Sequence, residues 1–282
     1  MQGGTALTGT LYLVATPIGN LEDITFRAVR TLKEVDLIAC EDTRQTRKLL
    51  DHSAIGKPTV SYHEHNEIER SRELIAKLLD GTSVALVSDA GMPLISDPGY
   101  RLVRAAIGHG IRVDAIPGAS ALLTALAASG LATDSFHFGG FLPAKAGQRL
   151  RALEAVKDEP ATVIFYEAPH RILEALAAVE QALGERQVVV ARELTKIHEE
   201  FVRGTAAEVR TALAARESVR GEITLLLGKS SGVTDVTPIA DAVEACMAQG
   251  MTRMDAIKAV AHRRGLSKRE VYAELEKLKG RS

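Results

Sequence analysis

The chain has 282 residues, 46% of them hydrophobic, 4% aromatic and 25% charged, with a formal net charge of −1. That length and apolar content allow two or three globular domains whose core is mainly Ala, Leu, Val and Ile, and the near-neutral balance excludes a surface that is basic throughout, leaving only a local patch for nucleic acid. Cys40 and Cys246 are too few for a disulfide framework or a cysteine zinc site, and no apolar run reaches the roughly 18–20 residues of a membrane span, so a cytoplasmic protein without membrane contact is expected.

Residues 1–10 carry no positive charge ahead of an apolar run and read as a flexible leader, not a signal peptide. Leu11 to Ala15 reads as a first strand, closed by Thr16-Pro17-Ile18-Gly19-Asn20. From Asp23 to Val35 the apolar residues fall at helical spacing, with Asp23 or Thr25 as N-cap. A second strand, Asp36 to Cys40, runs into Glu41-Asp42-Thr43-Arg44 and a helix carrying Leu49 and Leu50; a short third strand spans Pro58 to Tyr62. Asn66 is placed to cap a long helix through Leu79, which Asp80-Gly81 ends.

Val84 to Val87 is a continuous apolar run such as a parallel strand covered on both faces carries. Behind it Asp89, Gly91, Pro93, Ser96, Asp97, Pro98 and Gly99 break the pattern before helical spacing resumes, to about Gly108. Strand, glycine-bearing loop and helix form the ligand-site grammar of α/β proteins, because ligands sit beyond the carboxyl ends of parallel strands and glycine lets backbone approach them. A fifth strand, Arg112 to Ile116, leads through Pro117-Gly118-Ala119-Ser120 into a small-residue helix from Ala121 to Ser129. Strand and helix alternate five times, so a parallel sheet is inferred over residues 11–131.

From Phe136 the pattern changes. Strands are expected at Phe136 to Phe141, Thr162 to Tyr166, Val188 to Arg192, Glu199 to Gly204 and Glu222 to Leu227, with helices near 147–157, 169–183 and 205–215. Two strands meet without a helix around Glu193 to His198, which predicts a mixed sheet and a second domain over 132–229. The stretch from Lys229 to Pro238 reads as a linker. Beyond it, residues 238–282 show three short helical patterns, Ile239 to Ala248, Arg253 to Arg264 and Lys268 to Leu278, with Thr252 and Ser267 as caps of the second and third. Arg263-Arg264-Gly265-Leu266-Ser267 between two of them gives a helix-turn-helix-like arrangement with a basic flavour.

Neither a dinucleotide fingerprint nor a P-loop occurs between Ser88 and Gly99. Seven segments do carry a resemblance: Leu-Val-Ala-Thr-Pro-Ile-Gly-Asn-Leu-Glu-Asp-Ile (13–24), Cys-Glu-Asp-Thr-Arg (40–44), Ser-Tyr-His-Glu-His-Asn-Glu (61–67), Ser-Asp-Ala-Gly-Met-Pro-Leu-Ile-Ser-Asp-Pro-Gly (88–99), Ile-Pro-Gly-Ala-Ser-Ala (116–121), Phe-Tyr-Glu-Ala-Pro-His-Arg (165–171) and Ala-Arg-Glu-Leu-Thr-Lys (191–196). In this order they resemble the tetrapyrrole methylase-like family of S-adenosylmethionine-dependent methyltransferases, and within it the branch that methylates a cytidine ribose 2′-hydroxyl in the decoding region of 16S rRNA of the small ribosomal subunit.

The resemblance implies a two-domain α/β fold with a parallel-sheet first domain and a mixed-sheet second domain, S-adenosylmethionine in the cleft between them, and a homodimer. It implies cofactor contacts from Pro17, Gly19, Asp89, Ala90, Gly91, Ser96, Asp97, Gly99, Ser120 and Ala121, completed by Tyr166, Glu167 and Glu222 of the second domain. A ribose hydroxyl is a poor nucleophile, so a base or polarising cation near it is expected among Glu41, Asp42 and Lys196; Arg44, His63, Glu64 and Arg171 are candidates for the RNA. His63 and His65 tempt a metal reading, but no further cluster completes a site, and no metal is expected. Two rivals stand beside this: a tetrapyrrole C-methyltransferase with the same pocket, and a non-catalytic ribosome-binding factor that uses the helical tail.

Overall fold

The computed structural model describes residues 8–230, 238–248, 250–264 and 266–279. In the first half strands and helices alternate: β1 (Thr10–Val14), α1 (Phe26–Glu34), β2 (Leu37–Cys40), α2 (Thr43–His52), β3 (Thr59–Ser61), α3 (Glu67–Leu79), β4 (Val84–Val87), α4 (Tyr100–Gly108), β5 (Arg112–Ile116) and α5 (Ala121–Ser129). The five strands form one parallel sheet in the order β3-β2-β4-β1-β5. β4 is central, and its successive side chains point to opposite faces as the pleat requires. Val84 and Leu86 pack with Leu74, Leu78 and Leu102 of α3 and α4, while Ala85 and Val87 pack with Leu32 and Leu50 of α1 and α2. All four are buried, which is why this strand reads as an unbroken apolar run. Each fully buried Leu or Val is worth roughly 1.5–3 kcal/mol, so the loop after β4 rises from the most firmly held strand of the sheet.

The second half contributes β6 (Phe136–Phe141), α6 (Ala146–Glu154), β7 (Thr162–Glu167), α7 (Ile172–Leu183), β8 (Gln187–Arg192), β9 (Glu200–Thr205), α8 (Ala206–Ala214) and β10 (Ile223–Leu227). Its sheet runs β6-β7-β10-β8-β9, with β6 and β7 parallel and the other pairs antiparallel. Helices α6, α7 and α8 cover one face through Leu153, Leu176, Val179, Val209 and Leu213. The other face packs on α5: Leu122, Ala125 and Leu126 meet Ile164, Val189, Ala191 and Leu226. The small residues that make α5 weakly amphipathic therefore serve a close joint between the halves, which brings the carboxyl ends of the parallel strands up against the second sheet.

Helices α9 (Ile239–Ala248), α10 (Arg253–Arg264) and α11 (Lys268–Lys279) close on a core of their own, with Val243, Cys246, Ile257, Val260 and Val271 buried together. Both expected caps are made: the Asp255 and Glu270 amides donate to the Thr252 and Ser267 hydroxyls at 3.3 and 3.2 Å.

Some local expectations differ from the structure. Residues 1–7 of the leader and 231–237 of the linker lie outside the described residues. Thr10 already belongs to β1, in register with Arg112, and the Gly9 amide donates to the Leu78 carbonyl at 2.7 Å, so ordered chain begins before Leu11. Asp23 closes a short 3-10 turn, and Thr25 caps α1 by accepting from the Ala28 amide. Asn66 stands at the start of α3 without capping it; its amide instead bridges back, accepting from the His63 amide at 2.9 Å and donating to the Ser61 carbonyl at 3.2 Å.

Candidate functional site

Three loops leave the carboxyl ends of β1, β2 and β4 and are tied to one another. Thr16 and Gly91 exchange backbone hydrogen bonds of 2.9 and 3.1 Å, and the Ser88 hydroxyl donates to the Gly91 carbonyl at 2.9 Å. The Asp42 amide donates to Asp89 Oδ1 at 3.1 Å, joining the β2 loop to the β4 loop. Between Ser88 and Tyr100 four residues have left-handed backbone, Gly91 (φ 85°), Leu94 (73°), Ser96 (65°) and Gly99 (135°). Two of these are not glycine, and such strain concentrates at ligand-binding loops because surrounding contacts must enforce it. At Gly99 a side chain is also excluded by space, since a Cβ would stand 2.8 Å from a Leu86 methyl.

The β4 loop, the start of α5 and the ends of β7 and β10 enclose a cavity of about 430 Å³, the size range of small-molecule sites. Ten of the residues expected at the cofactor line it: Asp89, Ala90, Gly91, Ser96, Asp97, Ser120, Ala121, Tyr166, Glu167 and Glu222. Pro17 and Gly19 line a second cavity of about 330 Å³ whose wall shares Ile18, Asp89, Ala90 and Glu222 with the first. Gly99 lines neither and works behind the loop, with its amide 3.4 Å from Glu67 Oε1. Ser120 precedes α5 without making a capping hydrogen bond, so its hydroxyl is left to the cavity.

Sequence reasoning missed the apolar lining, Ile18, Phe141, Leu194 and Ile223. Phe141 stands edge-on to Tyr166 with ring centroids 5.6 Å apart. Leu194 lies inside the 191–196 segment, the one signal that could have flagged it.

Glu167 is buried. Its Oε1 accepts from the Ala168 amide at 2.7 Å and from Arg171 Nε at 2.7 Å, while Oε2 has no hydrogen-bond partner. Arg171 itself does not reach the cavity: it is committed to Glu167 and to the Leu142 carbonyl at 2.9 Å. Lys196 lines the second cavity, held between Glu193 and Glu222 at 2.8 and 2.9 Å. Burial disfavours its charge, but the two carboxylates outweigh that and raise its pKa, so it is a fixed cation and not a base.

Asp42 caps α2, accepting from the Arg44 amide at 2.8 Å, and the Arg44 guanidinium, 89% exposed, pairs with the same carboxylate. Arg44 hydrogen bonds hold Asp42 below the usual carboxylate range. Glu41 is pushed up by burial and by the charges of Asp89 and Glu64, with His63 opposing, so these four groups share one end of the sheet. Neither Glu41 nor Asp42 lines either cavity. His63 and His65 meet edge to face, and among the described residues no group of three or more His, Cys, Asp or Glu has the geometry to hold a metal ion.

Asp97 is pushed up to about 6, chiefly by burial and then by the charges of Glu41 and Asp89. A carboxyl raised in the folded state destabilises it on ionising: the cost is absent below the unfolded pKa and complete above the folded one. Asp97→Asn should therefore stabilise the ligand-free protein at pH 7–8 by roughly 1–2 kcal/mol after allowing for solvent screening, seen as a Tm several degrees higher. The gain should disappear by about pH 4. A Tm difference that does not change between pH 8 and pH 4 would refute this reading of Asp97.

Residues 10–210 match the family model of tetrapyrrole (corrin/porphyrin) methylases. The chain is 53% identical over 272 residues to ribosomal RNA small subunit methyltransferase I of Halalkalibacterium halodurans, covering 94% of this chain and 93% of the relative. It is 47% identical over 272 residues to the protein of the same name from Bacillus subtilis, with coverage of 94% and 93%. Among solved structures it is similar in fold to uroporphyrin-III C-methyl transferase of Thermus thermophilus complexed with S-adenyl homocysteine, with a TM-score of 0.56 and 22% identity over 79% of this chain and 98% of that one.

Proposed function

Since the chain belongs to the tetrapyrrole methylase family and, within it, to the ribosomal RNA small subunit methyltransferase I proteins, we propose that it transfers a methyl group from S-adenosylmethionine to the ribose 2′-hydroxyl of a cytidine in the decoding region of 16S rRNA. The observation that carries the cofactor half of this reading is the cavity of about 430 Å³ closed by both sheets, lined by ten of the residues that the resemblance assigns to the cofactor. Gly91 and Ala90 offer backbone at close approach, Ser96 and Ser120 offer hydroxyls, and Ile18, Phe141, Leu194 and Ile223 offer an apolar face for a base ring and keep water out.

When bound, the cofactor supplies a methyl already activated on a sulfonium, so the protein has to position and exclude water more than to activate. Asp97 and Glu222 add carboxylates to the cavity wall, negative charge that favours a cation. The fixed cation Lys196 holds Glu222 in place at the boundary of the two cavities.

Comparing 16S rRNA from cells with and without the protein tests the reading. One cytidine should be resistant to alkaline cleavage only when the protein is present, and purified protein should restore the resistance on unmethylated 30S subunits in a donor-dependent reaction. Cleavage at every cytidine in both strains would overturn it. Binding to 30S subunits without any donor-dependent resistance would leave a ribosome-binding factor.

The reaction belongs in the cytoplasm with its substrate; no described helix is long and apolar enough to cross a membrane. The protein is proposed to act as a homodimer. Phe26 and Ile197, 97% and 98% exposed, are apolar surface that a second copy would cover. Light scattering at micromolar concentration should give about twice the 30.2 kDa chain mass, and a fully active monomer would remove the idea.

A further inference from the structure

A methyl group can pass from one bound molecule to another only where their sites touch. The two cavities touch along a short wall made of Ile18, Asp89, Ala90 and Glu222. The remaining lining of the second cavity differs in character from the first. Beside apolar Leu21 and Leu49 it carries the peptide edge of Thr16 to Gly19 and the side chains of Gln45, Lys48 and Lys196, so two ammonium groups stand in its lining with the carboxylates of Asp89 and Glu222. Gln45 and Lys48 sit on the exposed face of α2, joined by a hydrogen bond of 2.7 Å from Lys48 Nζ to Gln45 Oε1. An ammonium beside an amide suits a phosphate next to a base edge.

We propose that the second cavity seats the acceptor nucleotide and that Asp89, on the wall between the cavities, takes the proton of its 2′-hydroxyl during transfer. This rests on the first cavity holding S-adenosylmethionine. The wall has only two ionisable side chains, and they are not equivalent. Glu222 is 72% exposed and bound to the Lys196 ammonium at 2.9 Å, which fixes it as a counter-ion. Asp89 accepts from the Asp42 amide at 3.1 Å, and among the described residues no cation pairs with it. The charged groups around it are Asp42, Glu41 and Asp97, with the Cys40 thiol behind, and across the second cavity Lys48, Lys196 and Glu222. Asp89 is exposed at the cavity boundary; partial desolvation and the Asp42 charge raise its proton affinity against the opposing hydrogen bond from the Asp42 amide, which suits a base. In the step, the ribose O–H bond breaks and its proton passes to the Asp89 carboxylate as the O–CH3 bond forms. The S–CH3 bond breaks with its electron pair kept by sulfur, so the sulfonium becomes a neutral thioether.

Asp89→Asn, Asp89→Glu and Lys48→Glu separate these roles. Three quantities are read on each folded variant: S-adenosylhomocysteine affinity by calorimetry, 30S affinity by filter binding, and single-turnover methyl transfer against pH. Asp89→Asn should bind both ligands within about threefold of the parent, transfer methyl about 100-fold more slowly, and lose the rise of rate with pH that the parent shows on its acid limb. Asp89→Glu should recover part of the rate and the rise. Lys48→Glu should weaken 30S binding several-fold and leave S-adenosylhomocysteine affinity unchanged. An Asp89→Asn rate within threefold of the parent overturns the proposal, as does loss of S-adenosylhomocysteine affinity in that variant, which would make Asp89 a cofactor residue. Unchanged 30S affinity in Lys48→Glu removes the acceptor seat. A parent protein that does not bind S-adenosylhomocysteine at all overturns the cofactor reading itself.

Discussion

In a folded Gly91→Leu variant, S-adenosylmethionine affinity measured by calorimetry should fall by about 100-fold or more, and methyl transfer with it. Gly91 has φ 85°, a conformation that costs a side-chain-bearing residue roughly 1–2 kcal/mol. Its amide and carbonyl are both engaged by Thr16, so the backbone cannot relax away from that conformation without releasing the β1 loop. A Cβ alone would make ordinary contact, 3.4 Å from an Ile18 methyl and 3.6 Å from the Ala119 carbonyl. The atoms beyond Cβ are the obstruction, because Gly91 lines the cavity and a leucine there takes up space that a ligand would fill. Gly91→Ala separates the two effects: it should lose stability by about 1–2 kcal/mol while keeping most of its affinity. Unchanged affinity in folded Gly91→Leu would show that the ligand does not approach this loop.

The elements most legible in the sequence were those whose pattern comes from burial on both faces or from a local stop. Val84–Val87 is an unbroken apolar run because both layers of helices pack on it, and Ala121–Ser129 ends where Gly130 adopts φ 81°. The β4 loop could be read as a binding loop because turn residues crowd between a strand and a helix. What sequence could not show came from the meeting of distant segments. Phe141 enters the cavity only because α5 joins the two sheets, and nothing local in its own segment points to it, whereas Leu194 had only its place in the 191–196 segment to mark it. Glu193 and Thr195 have φ 53° and 66°, backbone that their residue types do not announce. The Asn66 expectation failed for a related reason: an Asn ahead of a helix has several local partners, and here the His63 amide and the Ser61 carbonyl win over the helix amides. Arg171 was a candidate for the RNA from its place in the 165–171 segment, and the sequence did not show that it pairs with the buried carboxylate of Glu167.

Deleting residues 239–282 should leave S-adenosylmethionine affinity nearly unchanged while sharply reducing methyl transfer to 30S subunits at moderate salt. The three helices bury their apolar residues against one another, and none of the residues lining either cavity comes from them. Removing them therefore takes away a unit with its own core and no wall of the site. Their exposed side chains include Arg253, Lys258, Lys268 and Arg269, and the sequence adds Arg263, Arg264, Lys277, Lys279 and Arg281. Lys258 is partly occupied by Asp255 at 3.1 Å, so it should contribute less than its neighbours. Each basic group that meets a phosphate releases counterions, with the logarithm of affinity falling by about 0.7–0.9 per contact for each tenfold rise in salt. Full-length protein should then show a steep salt dependence of KM for the subunit and a shallow one of cofactor affinity, and the truncated protein should lose the steep component. Loss of cofactor binding in a folded truncation would place the tail at the cavity or at a subunit interface. Equal KM for the truncated and full-length proteins at every salt concentration would leave the tail without a part in capturing the substrate.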